Sequence, residues 1–500
     1  MFDKIKRLGT ETAIYGVSTI VGRFLTFLLT PLYANILTPS DLGVVATLYA
    51  YLAFLNVVYG YGMESAHFKY SSTLELGDRR QNFTVPFLSV LLTSAVFSAC
   101  IAWQSGPVAR LLDLSESHRS VIAYGAAILF LDGAAIIPFA SLRMAGRATR
   151  FAALKLVNIS TNVALNVLFL LVFHRGVEGI FLAGVLSSGL TLALLAPVIL
   201  AHLPSRWSGE LYVALLRFGL PQVPAGIAGM MIQVIDRPIL QALTDRATVG
   251  IYQANYRLGI FMMLIVSMFD FAWRPFFMAN ASDPRARPMF ARILTYFILL
   301  TSCVFLVLSF FLEDVVKLTL FFGASILPEP YWAGLAIVPV VLLAYVFLGI
   351  SNNVVAGIYL EKRTRHLPAV TLLGALVNVV ANYLLIPVWG IMGAAVATLL
   401  AYAVMTAALY VVAQRFYPIR YEFDRIGKIA AAGTAVFLLY CFVRLGALEI
   451  LWKFALLVLF GMLMYWMKFF EPAELQRITR MAGRREQPLP RPEPPVAPGV

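Results

Sequence analysis

Apolar residues run through this chain in blocks of about twenty, each closed by a short polar or basic gap. The blocks show neither the strict alternation of a half-buried strand nor the narrow apolar stripe of a soluble helix. A helix that crosses a bilayer needs about 20 mostly apolar residues. That ruler predicts fourteen spans, near 12–36, 42–64, 83–104, 119–142, 152–173, 178–201, 218–242, 247–271, 289–312, 331–358, 367–387, 390–414, 428–446 and 449–470. The Gly-Val-Glu-Gly at 176–179 and the Val-Trp-Gly at 388–390 supply the turns that separate the closest pairs. An even count puts both termini on one side of the membrane.

The polar punctuation repeats. TPSDLGVVATLYAY in the first half and TDRATVGIYQANYRL in the second both lead from a polar cap to a glycine (Gly43, Gly250), with a tyrosine six residues on (Tyr49, Tyr256). Asn162 and Asn166 stand one turn apart before Val177-Glu178-Gly179-Ile180, and Asn378 and Asn382 do the same before Val388-Trp389-Gly390-Ile391. The offsets of 207, 216 and 211 describe two six-helix units running in the same direction, with the last two helices added. Parallel repeats of this kind belong to transporters, with the solute site between the halves. Each Asn pair reads equally as a cavity polar group or as hydrogen-bond glue within the bundle.

Composition agrees: 60% of the residues are hydrophobic and only 13% are charged, about half the charged share of a soluble domain. A net charge of +13 invites a nucleic-acid partner, but the distribution of the cations excludes that reading. With the N-terminus placed in the cytoplasm, 29 of the 39 basic residues fall in cytoplasmic segments and 7 in the opposite loops. They are topology signals. Cys100, Cys303 and Cys441 are far apart inside apolar stretches and read as small core residues, not as a disulfide framework or metal site.

The remaining cations are Arg23, Arg237 and Arg257, inside the first, seventh and eighth spans. A charge at the bilayer centre costs about 2.5–3.5 kcal/mol on insertion scales, so each is expected to face a cavity or a partner. Glu11 lies too far along the same helix to pair with Arg23, which must find another helix or a ligand. Asp236 and Arg237 are adjacent, so a regular helix points them to different sides, and Pro238 frees a carbonyl near Val234. Asp132 and Asp236 are candidate carriers of a coupling proton or sodium ion, with a hydrogen-bonded structural acid as the alternative for Asp132. Glu64 and Lys69 read as a gate or as interfacial residues snorkelling to water. Arg143, Arg147 and Arg274 mark the cytoplasmic face, where a substrate would enter.

No enzyme signature accompanies them. The chain has no GxxxxGK[ST] loop, no HExxH helix, no CxxC and no Asp-x-Asp pair, and its five histidines are scattered. Neither a metal nor an organic cofactor is expected.

The stretches TPSDLG, YGMESAHFKY, SLRMAGRATRFAALKL, LRFGLPQVPAGIAGMMIQVIDRPIL and TVGIYQANYRLG, in that order across fourteen spans, resemble the polysaccharide-transport (O-antigen flippase) family. That family belongs to the multidrug/oligosaccharidyl-lipid/polysaccharide exporter superfamily, and the resemblance covers residues 1 to about 470. It implies alternating-access movement of an undecaprenyl-pyrophosphate-linked oligosaccharide from the cytoplasmic to the periplasmic leaflet of the bacterial inner membrane. O-antigen, capsule or exopolysaccharide assembly would follow, with a polysaccharide polymerase and a chain-length regulator as partners. It also implies that cavity cations such as Arg23 hold the pyrophosphate. The multidrug branch more typically carries an acid in its first helix, where this chain offers only Glu11.

The expectation is therefore an all-α integral membrane protein of about fourteen transmembrane helices: two six-helix pseudo-repeats resembling MATE lobes, plus two extra C-terminal helices. The expected divisions are 1–205, 206–415, 416–470 and a Pro-rich, disordered cytoplasmic tail at 471–500. A flippase leads. A cation-coupled multidrug exporter and a membrane glycan polymerase or ligase are the alternatives.

Overall fold

The computed structural model describes residues 2–112, 114, 119–203, 207–281, 283–318, 325–443 and 445–471, with side chains from Ile14 onward apart from Tyr15 and Ala447. The expected tail beyond 471 and the Glu11 side chain lie outside the described residues. Within them the chain is helical, without a β-strand, and fourteen helices are long and apolar enough to cross a membrane. Their bounds fall within a few residues of the expected ones for most spans; the second ends nine residues later, the seventh starts nine and ends eight residues earlier, and the eighth ends eight residues later, being Pro39–Thr73, Gly209–Val234 and Arg246–Ala279. Helices satisfy every backbone N–H and C=O internally, which is the condition for crossing hydrocarbon.

Residues through Tyr421, apart from Thr295–Phe310, form one compact unit. Thr295–Phe310 and the described residues from Glu422 to Glu471 form a second. In the second unit, Phe305 and Phe437 and then Phe310 and Tyr440 meet ring to ring at 5.4 and 4.5 Å, and Lys453 is buried beside Glu449 at 3.2 Å.

In the first unit the repeated motifs perform repeated tasks. Thr38 caps the second span by accepting the Asp41 N–H at 3.2 Å, and Asp245 caps the eighth by accepting the Thr248 N–H at 2.9 Å and its hydroxyl at 2.8 Å. These two bonds hold the Asp245 carboxyl below its usual range. The two capped helices then pack backbone to backbone. A Cβ on Gly43 would overlap the Arg246 carbonyl oxygen, and a Cβ on Gly250 would overlap that of Pro39. Pro39 and Arg246 are themselves 207 residues apart, so the contact is reciprocal under the repeat. The other end of the second span breaks at Tyr61-Gly62, where Gly62 takes φ +75° and its Cα lies against the Gly219 carbonyl.

One expectation fails. Cys100 and Cys441 are exposed on their helices and Cys303 is half-buried, so they are not core residues. A small apolar thiol is equally at home on a surface that faces lipid.

Two outcomes are expected from this packing. Gly250→Ala should cost about 1–3 kcal/mol by overpacking. It should also speed thiol labelling of Ser40→Cys at the seam in a cysteine-free background, whereas Gly229→Ala, with open space around its Cα, should change neither. Asp245→Ala should cost about 1 kcal/mol of stability at neutral pH. Because folding lowers the Asp245 pKa, that difference should vanish as pH falls through the lowered value, which unfolding series at several pH values would read.

Candidate functional site

Two adjoining cavities open in the first unit, of about 710 and 480 Å³, and share Thr26, Phe151, Lys155, Ile159 and Arg257 in their walls. Arg257 sits where the eighth span tightens into a single 3-10 turn at 257–259. Its guanidinium faces the Tyr33 ring at 6.0 Å, and among the described residues it has neither a hydrogen bond nor a carboxylate partner. Arg23 reaches the smaller cavity from the first span and donates from Nη1 to Ser267 Oγ at 2.6 Å, again with no ion pair among the described residues.

Arg237 corrects the sequence expectation. The seventh span breaks at Ile235, and the residue pair opens the following helix, Asp236–Leu243, where the long Arg237 side chain bends back toward its neighbour. Arg237 Nη1 folds back onto Asp236 Oδ1 at 2.6 Å, with both residues buried. The pair does neutralise itself. Asp236 Oδ1 also accepts the Arg237 backbone N–H at 3.0 Å, and its Oδ2 accepts the Tyr252 hydroxyl. Arg237 Nε donates to Gln253 Oε1 at 3.0 Å, its Nη1 also bonds the Gln233 carbonyl, and its plane stacks 4.4 Å from Tyr256. The guanidinium thus fills the carbonyl left open by the break. Asp236 has both oxygens engaged, while Arg237 keeps an edge in the smaller cavity wall.

Lys155 is one of the 29 cations that the topology reading assigns to cytoplasmic segments, and the structure places it elsewhere. It stands inside the helix that begins at Ala148, lines both cavities and lies 4.3 Å above the Phe139 ring. Its signal in the sequence was a lone cation in FAALKLVNI, past the Arg147 and Arg150 anchors. Asp132, across the larger cavity, accepts from Ser188 Oγ at 2.8 Å.

The other expected residues separate. Glu64 and Arg143 pair with each other and line the larger cavity. Lys69 lies 4.8 Å over both Tyr70 and Phe218, while Glu64 is engaged by Arg143. Arg147 and Arg274 lie in neither cavity, and Arg274 pairs with Asp270 at 3.0 Å.

Asn162 faces the larger cavity and donates to Ser187 Oγ at 3.1 Å. Asn166, Asn378 and Asn382 are fully buried away from both cavities. The two pairs repeat one geometry: the second Asn donates Nδ2 to the carbonyl of the first at 2.8 Å and to its side chain at 3.1 Å.

The architecture is that of a multi-pass, all-helical membrane protein with a cation-lined internal cavity. The lipid II flippase MurJ in an inward closed conformation matches over 91% of this chain and 99% of its own, with a TM-score of 0.72 at 14% identity. An inward-facing multidrug resistance MATE family transporter of the MOP superfamily covers 79% of this chain and 94% of its own at TM-score 0.63 and 14% identity. The Vibrio cholerae MATE transporter VcmN, as a D35N mutant, gives 82%, 97%, 0.59 and 14%. The family is more specific than the fold: a sequence model of polysaccharide biosynthesis proteins matches residues 8–280, and the chain belongs to that family. No curated protein matches the sequence.

Removing one partner of a buried ion pair strands the other, at a cost of about 3–5 kcal/mol. Asp236→Asn and Arg237→Gln should therefore each destabilise the protein by that order in denaturant titrations, and the double variant should be less harmed than the sum of the singles.

Proposed function

We propose that this protein moves an undecaprenyl-pyrophosphate-linked oligosaccharide from the cytoplasmic to the periplasmic leaflet of a bacterial inner membrane by alternating access. The product feeds O-antigen, capsule or exopolysaccharide assembly, and a polymerase and chain-length regulator receive it. The observation that carries this reading is Arg257, held in a membrane-spanning helix between two cavities without an acidic partner among the described residues. A charge kept there is retained for an anion that arrives with the substrate. Arg23 supplies a second cation and Arg237 an edge of a third. The same cations repel a cationic drug, which disfavours multidrug export. The basic bias of alternate loops supports cytoplasmic termini.

Coupling to a proton or sodium gradient falls to Asp132, because Asp236 is committed to Arg237 and Tyr252. In a flippase-null strain, Arg23→Ala and Arg257→Ala expressed at wild-type level should each lower surface polymer about tenfold or more, the ratio that about 1.4 kcal/mol of lost substrate binding produces. Full restoration of polymer by both variants would reject the cavity assignment.

A further inference from the structure

The repeat relation lets each wall of the larger cavity be compared with its counterpart in the second half. Lys155, Asn158, Ser188 and Thr191 correspond to Thr371, Gly374, Leu399 and Tyr402 at offsets of 216 and 211. In the second half this wall is closed. A Cβ on Gly374 would already press on Ile232 and Met405, and Tyr402 is buried in an apolar cluster with Ala228, Ile232, Ala344 and Ala401. In the first half the same positions stay open and polar. Asn158 donates to the Ser187 carbonyl at 3.1 Å and Thr191 Oγ1 at 2.8 Å, and its amide oxygen has no hydrogen-bond partner among the described residues. Tyr49, its ring stacked 5.0 Å from Phe181, and Asn56 line the same chamber, and neither polar group has a hydrogen-bond partner among the described residues.

The charges divide as well. Among the described residues, the two cavities are lined by the cations Arg23, Arg143, Lys155, Arg237 and Arg257 and by the acids Glu64 and Asp132. Glu64 neutralises Arg143, and Asp236 neutralises Arg237. Arg23, Lys155 and Arg257 then stand against Asp132 alone. The surplus equals the charge of a diphosphate diester, which carries one negative charge per phosphorus.

Resting on the flippase reading above, we infer that the cavity is divided by chemistry: Lys155 joins Arg23 and Arg257 in holding the diphosphate, and the chamber of Tyr49, Asn56 and Asn158 takes an uncharged sugar. Neutral hydroxyl and amide groups on the sugar satisfy uncommitted neutral groups on the protein, whereas a group that needs such a bond and lacks it is penalised. A sugar carboxylate finds no spare cation there and meets Asp132. Lys155 is a substrate-contacting residue of this site.

The test uses the full-length protein in lipid nanodiscs, titrated with farnesyl diphosphate, its N-acetylglucosamine conjugate and its glucuronic acid conjugate. Wild type should bind the N-acetylglucosamine conjugate about tenfold more tightly than either other probe, the size of discrimination that a few satisfied polar groups give. Tyr49→Phe and Asn56→Ala, which remove groups that hold nothing else in place, should shrink that advantage and leave bare farnesyl diphosphate unchanged. Lys155→Gln should weaken all three probes alike, and Lys155→Arg should restore them.

Equal binding of all three probes by wild type, or an unchanged ratio in Tyr49→Phe and Asn56→Ala, overturns the sugar chamber while leaving the diphosphate reading standing. Unchanged binding in Lys155→Gln overturns the role of that lysine. Failure of wild type to bind any of the three overturns the flippase reading and this inference with it.

Discussion

The cost of holding a charge in hydrocarbon organises this molecule. Each cation that the lipid would penalise has been given an answer, and the answers differ. Arg237 is paired with Asp236, bonded to Gln253 and stacked on Tyr256, so it is part of the framework. Arg143 has Glu64. Arg23 has a serine hydroxyl and Arg257 an aromatic face, which are weaker answers. A cavity is what makes the last two tolerable, since water or a ligand can reach them there. The cavity and its cations are one feature.

The two repeats show how one backbone plan yields unequal interiors. Helix caps at Thr38 and Asp245 and the paired asparagines in the fifth and eleventh spans recur with nearly the same bond lengths. What differs is volume. Thr191 leaves space where Tyr402 fills it, and Asn158 lines an opening where Gly374 lets Ile232 and Met405 close in. Tyr33 also donates to Asn166 at 2.8 Å, while Leu240, 207 residues on, offers nothing to Asn382, whose amide oxygen has no partner among the described residues. The second half trades polar satisfaction for packing, and the first keeps an open, polar cavity.

Much of this was readable before the structure. Span count follows from length and apolarity alone, because the bilayer imposes both. Arg23 and Arg257 stood out as cations that topology does not explain, and the cavity receives both. Lys155 escaped because a lysine soon after a helix start reads as one that snorkels to the interface, and only the neighbouring helices show that it turns inward. The Asp236–Arg237 pair escaped because residue spacing fixes only the Cβ directions, whereas the long Arg237 side chain folds back at the start of its helix to reach its neighbour. Whether a polar residue meets a cavity or a neighbour depends on side-chain volumes from distant helices, which no local pattern carries.

The glycine seam between the second and eighth spans has a mechanical meaning. Contacts of Cα against carbonyl, as at Gly43 with Arg246 and Gly250 with Pro39, are individually weak and have no rotamers through which to stretch. Such a joint behaves like a zip fastener's teeth: engaged it is stiff, and parted by a small displacement it exerts no pull. Rigidity and easy release, usually traded against each other, come from the same absence of a side chain.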